Sequence, residues 1–353
     1  MVKYLDNAST TKVDSRVLKE MLPYFTEQYG NASSNHEYGE KSRNAVENAR
    51  IQVSNIINAE PKEMIFTSGA TESINLAIKG YLEANAHKGN HIITVKTEHK
   101  AVLATCEYLE TIGYDVTYLD VDKNGLINLK QLEESINDQT LLIAVMFANN
   151  ETGVIQPIRQ IGDVSNKHNV VFFCDATQAI GKVNVDVDEQ KIDMLCFSGH
   201  KINGPKGIGV LFKRQGIDIN PIIHGGGQES GLRSGTYNTP SIVGIGKACD
   251  ILSKEYEQNV ASLLRKKQEI IDYYEKNNIG QVNFKAENVV PHIISITLNN
   301  YDAEEFLMLK HKEFVASTGS ACNAEIIEPS HVLNAIDFFN YKKIIRISID
   351  KIT

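Results

Sequence analysis

The chain has 353 residues, of which 42% are hydrophobic and 23% are charged, and its formal net charge is -8. These values are typical of a soluble globular protein of one or two domains, and the negative charge argues against direct binding to nucleic acid or to anionic membranes. The first residues lack the apolar core of a signal peptide, and no apolar run is long enough to span a bilayer. We therefore expect a cytoplasmic protein with no membrane partner.

Along the first half of the chain, short apolar runs alternate with segments of helical periodicity. Apolar residues recur at helical spacing from Ala45 to Ile57, and Pro61 ends that element. The following segments predict strand Met64–Thr67, a helix from about Ala70, strand His91–Val95, helix Ala101–Ile112, strand Asp115–Leu119, a helix begun by Asn128, and strands Leu141–Phe147 and Val170–Cys174. The last two runs are almost wholly apolar, as expected of strands covered on both faces. This alternation predicts a doubly wound α/β sheet.

The pattern changes in the second half of the chain. Two more strands are predicted at Met194–Phe197 and Gly209–Phe212, and a helix then runs from Ser241 to about Lys276 without a strand inside it. That helix is long enough to connect two domains. The remaining segments predict a smaller α+β unit, with strand Ile293–Thr297, helix Ala303–Leu309 and strand Ile344–Ile349.

Five cysteines lie along the chain without a repeated spacing: Cys106, Cys174, Cys196, Cys249 and Cys322. An odd number does not form a disulfide framework, and without a C-x-x-C pair we predict no metal site. Cys174 and Cys196 stand in apolar strands and are predicted to be core residues. Cys322 differs, because the small and polar residues around it are typical of an exposed loop, in which a thiol can be reactive.

Polar residues follow five of the predicted strands, where ligands bind in α/β sheets. The clusters are Thr67–Glu72, Thr97–Lys100, Asn149–Gly153, Asp175–Gln178 and Ser198–Lys201. Taken singly, each has an ordinary explanation, such as a helix cap, a structural histidine or a surface lysine. Their joint presence at one edge of the sheet predicts a single site.

The chemistry of these clusters fits a phosphorylated aromatic aldehyde. Lys201 comes just after a buried strand, and loss of solvent favours the neutral amine that forms a Schiff base. Asp175 provides an acidic partner for a pyridinium nitrogen, and His99 provides a flat group to stack on the ring. The Gly69–Thr71 turn at a helix N-terminus suits a phosphate. The sequence therefore predicts pyridoxal 5'-phosphate (PLP) as the cofactor.

Over nearly its whole length, the chain resembles the NifS/IscS-type cysteine desulfurases, which belong to the class-V aminotransferase group of fold-type I PLP enzymes. The order and joint presence of the matching segments make the resemblance specific. These segments are Leu5–Thr11, Gly30–His36, Thr67–Glu72, Asn149–Gly153, Asp175–Gln178, Ser198–Lys201, Gly225–Glu229, Arg233–Thr236, Ser317–Cys322 and Glu328–Leu333.

The resemblance implies an α/β, fold-type I PLP-dependent transferase. Its large domain would contain a mixed, mostly parallel seven-stranded sheet, and its small C-terminal domain would be α+β. We expect the large, PLP-binding domain to comprise residues 15–250. Residues 1–14 and 251–353 would form the small domain that carries the catalytic cysteine loop. The active unit would be a homodimer.

The resemblance also implies a role for each site residue. The expected catalytic residues are Cys322, Lys201 and His99. The expected cofactor-binding residues are Lys201, Asp175, Gln178, Asn150, His99, Ala70, Thr71, Ser198, His200 and Thr236, the last of which would reach the phosphate of the neighbouring subunit. The expected substrate-binding residues are Arg346, Asn31 and Arg233.

The implied reaction converts L-cysteine to L-alanine. Lys201 would remove the Cα proton, and the Cys322 thiolate would take the sulfur as a persulfide. An acceptor protein for iron–sulfur assembly, tRNA thiolation or DNA phosphorothioation would then receive it. One alternative is a selenocysteine lyase or another PLP-dependent lyase or aminotransferase of the same fold; an aminotransferase would not need Cys322. A second is an inactive docking subunit, against which the complete set of site residues argues.

The chain departs from the family pattern at a few positions. Ala32 stands in place of a usual proline, Gln228 in place of a common histidine and Thr318 in place of a serine. The sequence also stops a few residues after Arg346, where relatives usually continue with a helix that helps to dock scaffold proteins. We expect this to affect the choice of partner and not the chemistry.

Overall fold

The computed structural model describes residues 2–284, 288–318, 330–338 and 340–352, so Cys322 lies outside the described residues. The strands are β1 (Lys3–Tyr4), β2 (Met64–Thr67), β3 (His91–Val95), β4 (Asp115–Leu119), β5 (Thr140–Ala144), β6 (Val171–Asp175), β7 (Met194–Ser198), β8 (Gly209–Lys213), β9 (Gly280–Val282), β10 (Ile293–Leu298), β11 (Phe314–Val315), β12 (Ser317–Thr318) and β13 (Ile344–Ser348). The α-helices are α1 (Ser15–Met21), α2 (Pro23–Thr26), α3 (Glu37–Asn55), α4 (Ala70–Asn85), α5 (Lys100–Thr111), α6 (Leu129–Glu134), α7 (Ile158–His168), α8 (Thr239–Lys276), α9 (Ala303–Lys310) and α10 (His331–Ala335).

The largest sheet has seven strands in the order β2-β8-β7-β6-β5-β3-β4. Strand β8 runs antiparallel to both of its neighbours, and the other strands are parallel to one another. The mixed, mostly parallel sheet implied by the family resemblance is thus confirmed. Because the parallel strands share a direction, their carboxyl ends meet at one edge of the sheet, which is where a ligand site forms.

Helices cover both faces of this sheet. Successive strand residues point to opposite faces, so Phe172 packs into one hydrophobic core and Phe173 into the other. Helix α3 contributes to the first core and α4 to the second. This two-sided burial explains why the central strands are almost wholly apolar in sequence.

Helix α8 joins the large sheet to a smaller unit. Its 38 residues correspond to about 57 Å at the usual rise per residue. Ile245, near its start, packs in the core of the large sheet, whereas Leu263 and Tyr274 pack in a separate core. This separate core lies against a four-stranded antiparallel sheet in the order β12-β13-β10-β9.

The N-terminal segment touches both units. Strand β1 pairs in parallel with β11 of the small unit, and the Asn7 N–H donates to the carbonyl oxygen of Ser348 at 3.2 Å. A few residues later, the Thr11 N–H donates to the carbonyl oxygen of His200 at 2.8 Å. The predicted domain boundary at residue 250 stays a prediction, because α8 passes through it unbroken.

The sequence-based elements agree closely with the structure, although the predicted strands Leu141–Phe147 and Val170–Cys174 are found at Thr140–Ala144 and Val171–Asp175. The predicted strands Met64–Thr67, His91–Val95 and Asp115–Leu119 have the same bounds in the structure, and Asn128 caps α6 as predicted. Helix α3 begins at Glu37, earlier than the apolar spacing indicated, because polar residues make up its first turns. The short strands β9, β11 and β12 were not predicted. Within the described ranges, no helix has the length and apolar character needed to cross a membrane.

Candidate active site

A cavity of about 690 Å³ opens at the carboxyl ends of the large sheet, and we call it the main cavity. Residues from all five polar clusters line it, together with residues from the N-terminal segment and from β13. Of the predicted site residues, it is lined by Ala70, Thr71, His99, Asn150, Asp175, Gln178, Ser198, His200, Lys201 and Arg346. The convergence of the five clusters that the sequence predicted is therefore confirmed.

Lys201 enters the main cavity from a single 3₁₀ turn that directly follows β7. Its Nζ donates hydrogen bonds to the carbonyl oxygens of Ala8 and Ser9, each at 2.7 Å. Burial and, after it, the charge of Arg346 lower the pKa of the Lys201 amine to about 8. A substantial fraction of Lys201 side chains thus carries an uncharged, nucleophilic amine near neutral pH.

Asp175 ends β6 and is only 6% exposed. Its Oδ1 accepts a hydrogen bond from the Thr177 N–H at 2.9 Å, which holds the carboxylate at the floor of the cavity. Nearby, Gln178 donates from Nε2 to the carbonyl oxygen of Ala8 at 3.0 Å. His292 contacts the other end of the same amide, with Nε2 3.0 Å from Gln178 Oε1. Gln178 is therefore locked in one orientation.

Two histidines of the site are held neutral. Burial, followed by the charge of Lys201 among other contributions, lowers the pKa of His99 despite the opposing effect of Asp175. His99 caps α5, where its Nδ1 accepts from the Ala101 N–H at 3.1 Å. Burial and the charges of Lys201 and Lys206 lower the pKa of His200 to about 4. A neutral imidazole can stack on an aromatic ring without adding charge.

The N-terminus of α4 forms a cradle on one side of the main cavity. Gly69, at the cap position, has a φ of 157° and provides no side chain to cap the helix. On the other side of this turn, a Cβ added to Gly209 would lie 2.5 Å from the backbone carbon of Gly69, so the two chain segments approach too closely for a side chain. An uncapped helix start with its N–H groups facing a cavity is suited to an anion.

Arg346 projects from β13 into the main cavity. Its Nη2 donates to Asp6 Oδ1 at 2.7 Å, to Ser9 Oγ at 2.8 Å and to Ser317 Oγ at 3.1 Å. Its Nη1 donates to the carbonyl oxygen of Asn150 at 2.9 Å. These contacts hold the guanidinium plane in a fixed position, which favours recognition of a carboxylate.

Three predicted site residues do not line the main cavity of this chain. Arg233 and Thr236 line a neighbouring cavity of about 210 Å³, which shares Ser68 and Gly207 with the main cavity. Asn31 is exposed, and its Oδ1 accepts from the Ser33 N–H at 2.9 Å. The roles expected of these three residues stay predictions.

A second cavity, of about 280 Å³, adjoins the main one and shares Ser9, His99, Asn150 and Arg346 with it. Thr318 and Ser330 also line it, and these two residues flank the segment 319–329 that contains Cys322. Nothing is described for that segment itself. Thr318 and Ser330, the described residues on either side of the predicted cysteine loop, thus lie beside the site.

The sequence did not assign a role to several residues that build the cavity. The carbonyl groups of Ala8 and Ser9 hold Lys201, and Asp6 holds Arg346. Leu5–Thr11 matches a family segment, but a backbone carbonyl has no signature in a sequence. His292 also carries no functional signal in the sequence, because a lone histidine beside a strand is usually structural.

The described residues fit PLP. The lowered pKa of Lys201 suits covalent attachment to an aldehyde, and the buried Asp175 carboxylate suits a ring nitrogen that must stay protonated. The uncapped start of α4 suits the phosphate. Lys201 and Asp175 would hold the reactive and nitrogen ends of the cofactor, and Ala70 and Thr71 would hold its phosphate.

Comparisons with known proteins agree with this geometry. The model of the family "Aminotransferase class-V" matches residues 3–352. The curated relative "Cysteine desulfurase IscS" of Methanosarcina thermophila is 46% identical over 333 residues, which cover 94% of this chain and 82% of the relative. The solved structure "NIFS-LIKE PROTEIN" has a TM-score of 0.92 at 37% identity and covers 99% of this chain and 94% of its own. "SspA in complex with cysteine" has a TM-score of 0.88 at 40% identity, with 99% of both chains covered.

Proposed function

The chain belongs to the class-V aminotransferase family, and from this we propose that it is a PLP-dependent cysteine desulfurase that converts L-cysteine to L-alanine. PLP is a general property of the family. One observation carries the proposal: a single cavity combines the Lys201 amine, the Asp175 carboxylate, the uncapped start of α4 and the Arg346 guanidinium. Relatives named as cysteine desulfurases and a structural neighbour in complex with cysteine support the choice of substrate.

Each of these residues has a distinct task. When bound, PLP withdraws the electron pair that remains after loss of the substrate Cα proton. Arg346 binds the carboxylate of L-cysteine and orients the molecule. Lys201, with its pKa of about 8, accepts the Cα proton and returns it during turnover. Asp175 would hold the ring nitrogen protonated, and the neutral His99 would cover the ring face.

Cys322 receives the sulfur. Its thiolate attacks the substrate sulfur, so that an S–S bond forms as the C–S bond breaks; the electron pair of the C–S bond stays on the carbon, which takes up the proton given up by the Cys322 thiol and becomes the methyl group of L-alanine. The sum is L-cysteine plus the Cys322 thiol giving L-alanine plus the Cys322 persulfide, and no outside oxidant is needed. The persulfide sulfur then passes to an acceptor protein.

Substitution of Arg346 by lysine should raise the KM for L-cysteine by about 10- to 100-fold with a smaller effect on kcat. The reason is that lysine keeps the charge but loses the planar donor set that matches a carboxylate. Steady-state assays of L-alanine formation measure the change. Inhibition by cysteamine, which lacks the carboxylate, should stay the same in the variant, and an equal weakening for cysteamine would contradict the role of Arg346.

The rate of covalent PLP attachment to the apoprotein should rise about tenfold per pH unit up to about pH 8 and then level off, because only the uncharged Lys201 amine reacts. At pH 7, about one amine in ten is uncharged, compared with about one in three thousand for an ordinary lysine. Stopped-flow absorbance of apoprotein mixed with PLP measures this rate. A rate that still climbs steeply between pH 9 and pH 10 would show that the pKa is not lowered.

We also propose that the enzyme is a homodimer, in which Thr236 reaches the phosphate of the neighbouring subunit. Large apolar side chains on α1, α2 and the following segment support a covered surface: Phe25 is 58% exposed and Tyr29 is 67% exposed, and Leu18 and Leu22 are exposed beside them. The free thiols of the four described cysteines suit a reducing, cytoplasmic setting.

The decisive test is product analysis. Purified protein loaded with PLP and given L-cysteine should release L-alanine and, with a thiol reductant, an equal amount of sulfide. Selenocysteine, tested in parallel, addresses the selenocysteine lyase alternative. An amino acid given together with a keto acid as amino acceptor addresses the aminotransferase alternative. Formation of a keto acid instead of L-alanine would identify an aminotransferase and exclude the proposed function.

A further inference from the structure

The loop Gly225–Thr236 carries Arg233 and Thr236 and lies beside the main cavity, and we call it the glycine loop. Within it, the Ser234 Oγ donates to the carbonyl oxygen of Gly226 at 2.6 Å, and the Gly235 N–H donates to Gln228 Oε1 at 3.0 Å. The amide of Gln228, at a position where histidine is common, thus closes the loop on itself. These internal bonds do not explain how the loop is placed against the cofactor site.

Two ion pairs fasten the glycine loop to the rest of the large domain. The first joins Glu229 to Arg50 of α3, with Oε1 accepting from Nη2 at 2.7 Å and Oε2 accepting from Nη1 at 2.9 Å. Glu229 Oε2 also accepts from the Phe66 N–H at 2.8 Å, and Arg50 Nη1 donates to the carbonyl oxygen of Met64 at 2.7 Å. The pair therefore connects the loop to β2, the strand that leads into the cradle.

The second ion pair connects the same loop to the cradle itself. Arg233 Nε donates to Glu72 Oε1 at 2.8 Å, and Glu72 Oε2 accepts from the Ser68 N–H at 2.9 Å. Ser68 and Glu72 both line the main cavity at the start of α4. Burial by itself would raise the pKa of Glu72, but the hydrogen bonds from Arg233 and Ser68 outweigh it and hold the pKa low. The carboxylate that faces the predicted phosphate site is thereby neutralised by the loop.

The first ion pair is costly, which argues against a role in stability alone. The Arg50 and Glu229 side chains are almost fully buried, and a buried ion pair adds little net stability over apolar packing. Glu229 and Ser230 also adopt left-handed φ values of 48° and 55°, a conformation that costs side-chain-bearing residues free energy. Backbone strain of this kind clusters at active sites and ligand-binding segments, where a segment must be held in one position.

We propose that Arg50 and Glu229 are positioning residues for the cofactor: their ion pair holds the glycine loop on β2 and thereby sets Arg233 against Glu72 at the phosphate cradle. The inference rests on the proposed function, because it assumes that PLP occupies the main cavity. Neither residue touches that cavity, so their effect must pass through the loop.

The test is the dissociation constant of PLP from apoprotein, titrated by protein fluorescence in the full chain. Arg50→Lys and Glu229→Gln should each raise this constant by about tenfold or more. Arg50→Lys keeps the charge but loses the bidentate contact, and Glu229→Gln keeps the side-chain shape but loses the charge. The matched control is Arg214→Lys. Arg50 lies over the Phe66 ring, 4.8 Å from its centroid; Arg214 likewise lies over the Phe212 ring at 5.5 Å and pairs with Asp188 at 2.6 Å, but outside the glycine loop. The control should bind PLP as the wild type does.

A second measurement separates positioning from general destabilisation. If Glu229 acts through Arg233, both substitutions interrupt the same chain of contacts, so their effects should not add. The double variant Glu229→Gln, Arg233→Lys should then have a PLP dissociation constant no higher than that of whichever single variant binds PLP more weakly. Dissociation constants for Arg50→Lys and Glu229→Gln that match the wild type would overturn the inference, as would single effects that multiply in the double variant. Glu229→Gln nearly preserves side-chain volume, so it carries the test if Arg50→Lys does not fold. Failure of the wild type to bind PLP would instead overturn the proposed function.

Discussion

Replacement of Lys201 by alanine should lower the rate of L-alanine formation from L-cysteine by about 10⁴-fold and abolish covalent PLP attachment. The Lys201 Nζ donates hydrogen bonds to the carbonyl oxygens of Ala8 and Ser9, which hold it in the main cavity. Its pKa of about 8 suits both attachment and proton transfer. Alanine supplies neither function. Mass spectrometry after borohydride reduction measures attachment, and chromatography of L-alanine measures the rate.

The control for this variant is Lys213→Ala. Burial also lowers the pKa of Lys213, and its Nζ donates to the carbonyl oxygen of Ile217 at 2.8 Å, but it lies at the end of β8 and does not line the main cavity. We expect full activity and full attachment in this variant, after correction for folded protein. A Lys201→Ala protein that still carried reducible PLP on another lysine would contradict the assignment of the anchor.

Replacement of Cys322 by serine should lower sulfide release by about 10³-fold or more, while PLP attachment and the absorbance change on adding L-cysteine remain. Serine has nearly the size of cysteine, but its hydroxyl is a much weaker nucleophile at neutral pH. The two losses therefore separate: the Lys201 variant loses cofactor attachment and turnover, whereas the Cys322 variant loses turnover alone. Sulfide assays and absorbance titration measure them.

The other four cysteines provide an internal control. Cys106, Cys174, Cys196 and Cys249 are all buried with 0% exposure, and burial raises the pKa of each thiol, that of Cys106 to about 12. Brief alkylation of the native protein should therefore modify one cysteine and stop turnover. Peptide mapping identifies the site. A persulfide found on any of the four buried thiols, or full sulfide release by Cys322→Ser, would refute the proposed sulfur route.

The sheet was the most predictable part of the fold. Its central strands are buried on both faces, so a run such as Phe172–Cys174 has to be apolar throughout, and that pattern is visible without a structure. The short strands β9, β11 and β12 have two or three residues each, too few to establish a period. Their existence depends on pairing with residues distant in the chain.

The sequence by itself predicts which chemistry the site can perform. Lys201, Asp175 and the Gly69–Thr71 turn each follow a strand, and parallel strands must bring such residues to one edge. Residue type and position after a strand are properties of the local sequence, so a catalytic set can be recognised from them. Cys322 stays a prediction: the composition of its surrounding segment indicates an exposed loop, and only the family resemblance implies a catalytic role.

Only the tertiary structure decided how these groups are held and tuned. The lowered pKa of Lys201 comes from burial and from Arg346, which follows it by 145 positions in the chain, and its hydrogen bonds come from carbonyl groups near the N-terminus. Glu229 is fastened to Arg50 across a sequence separation of 179 residues. Desolvation and charge interactions depend on distances in space, and contacts between distant segments have no local pattern in a single sequence. Residue identity thus predicts the reaction, whereas packing sets the protonation states and the placement of the glycine loop.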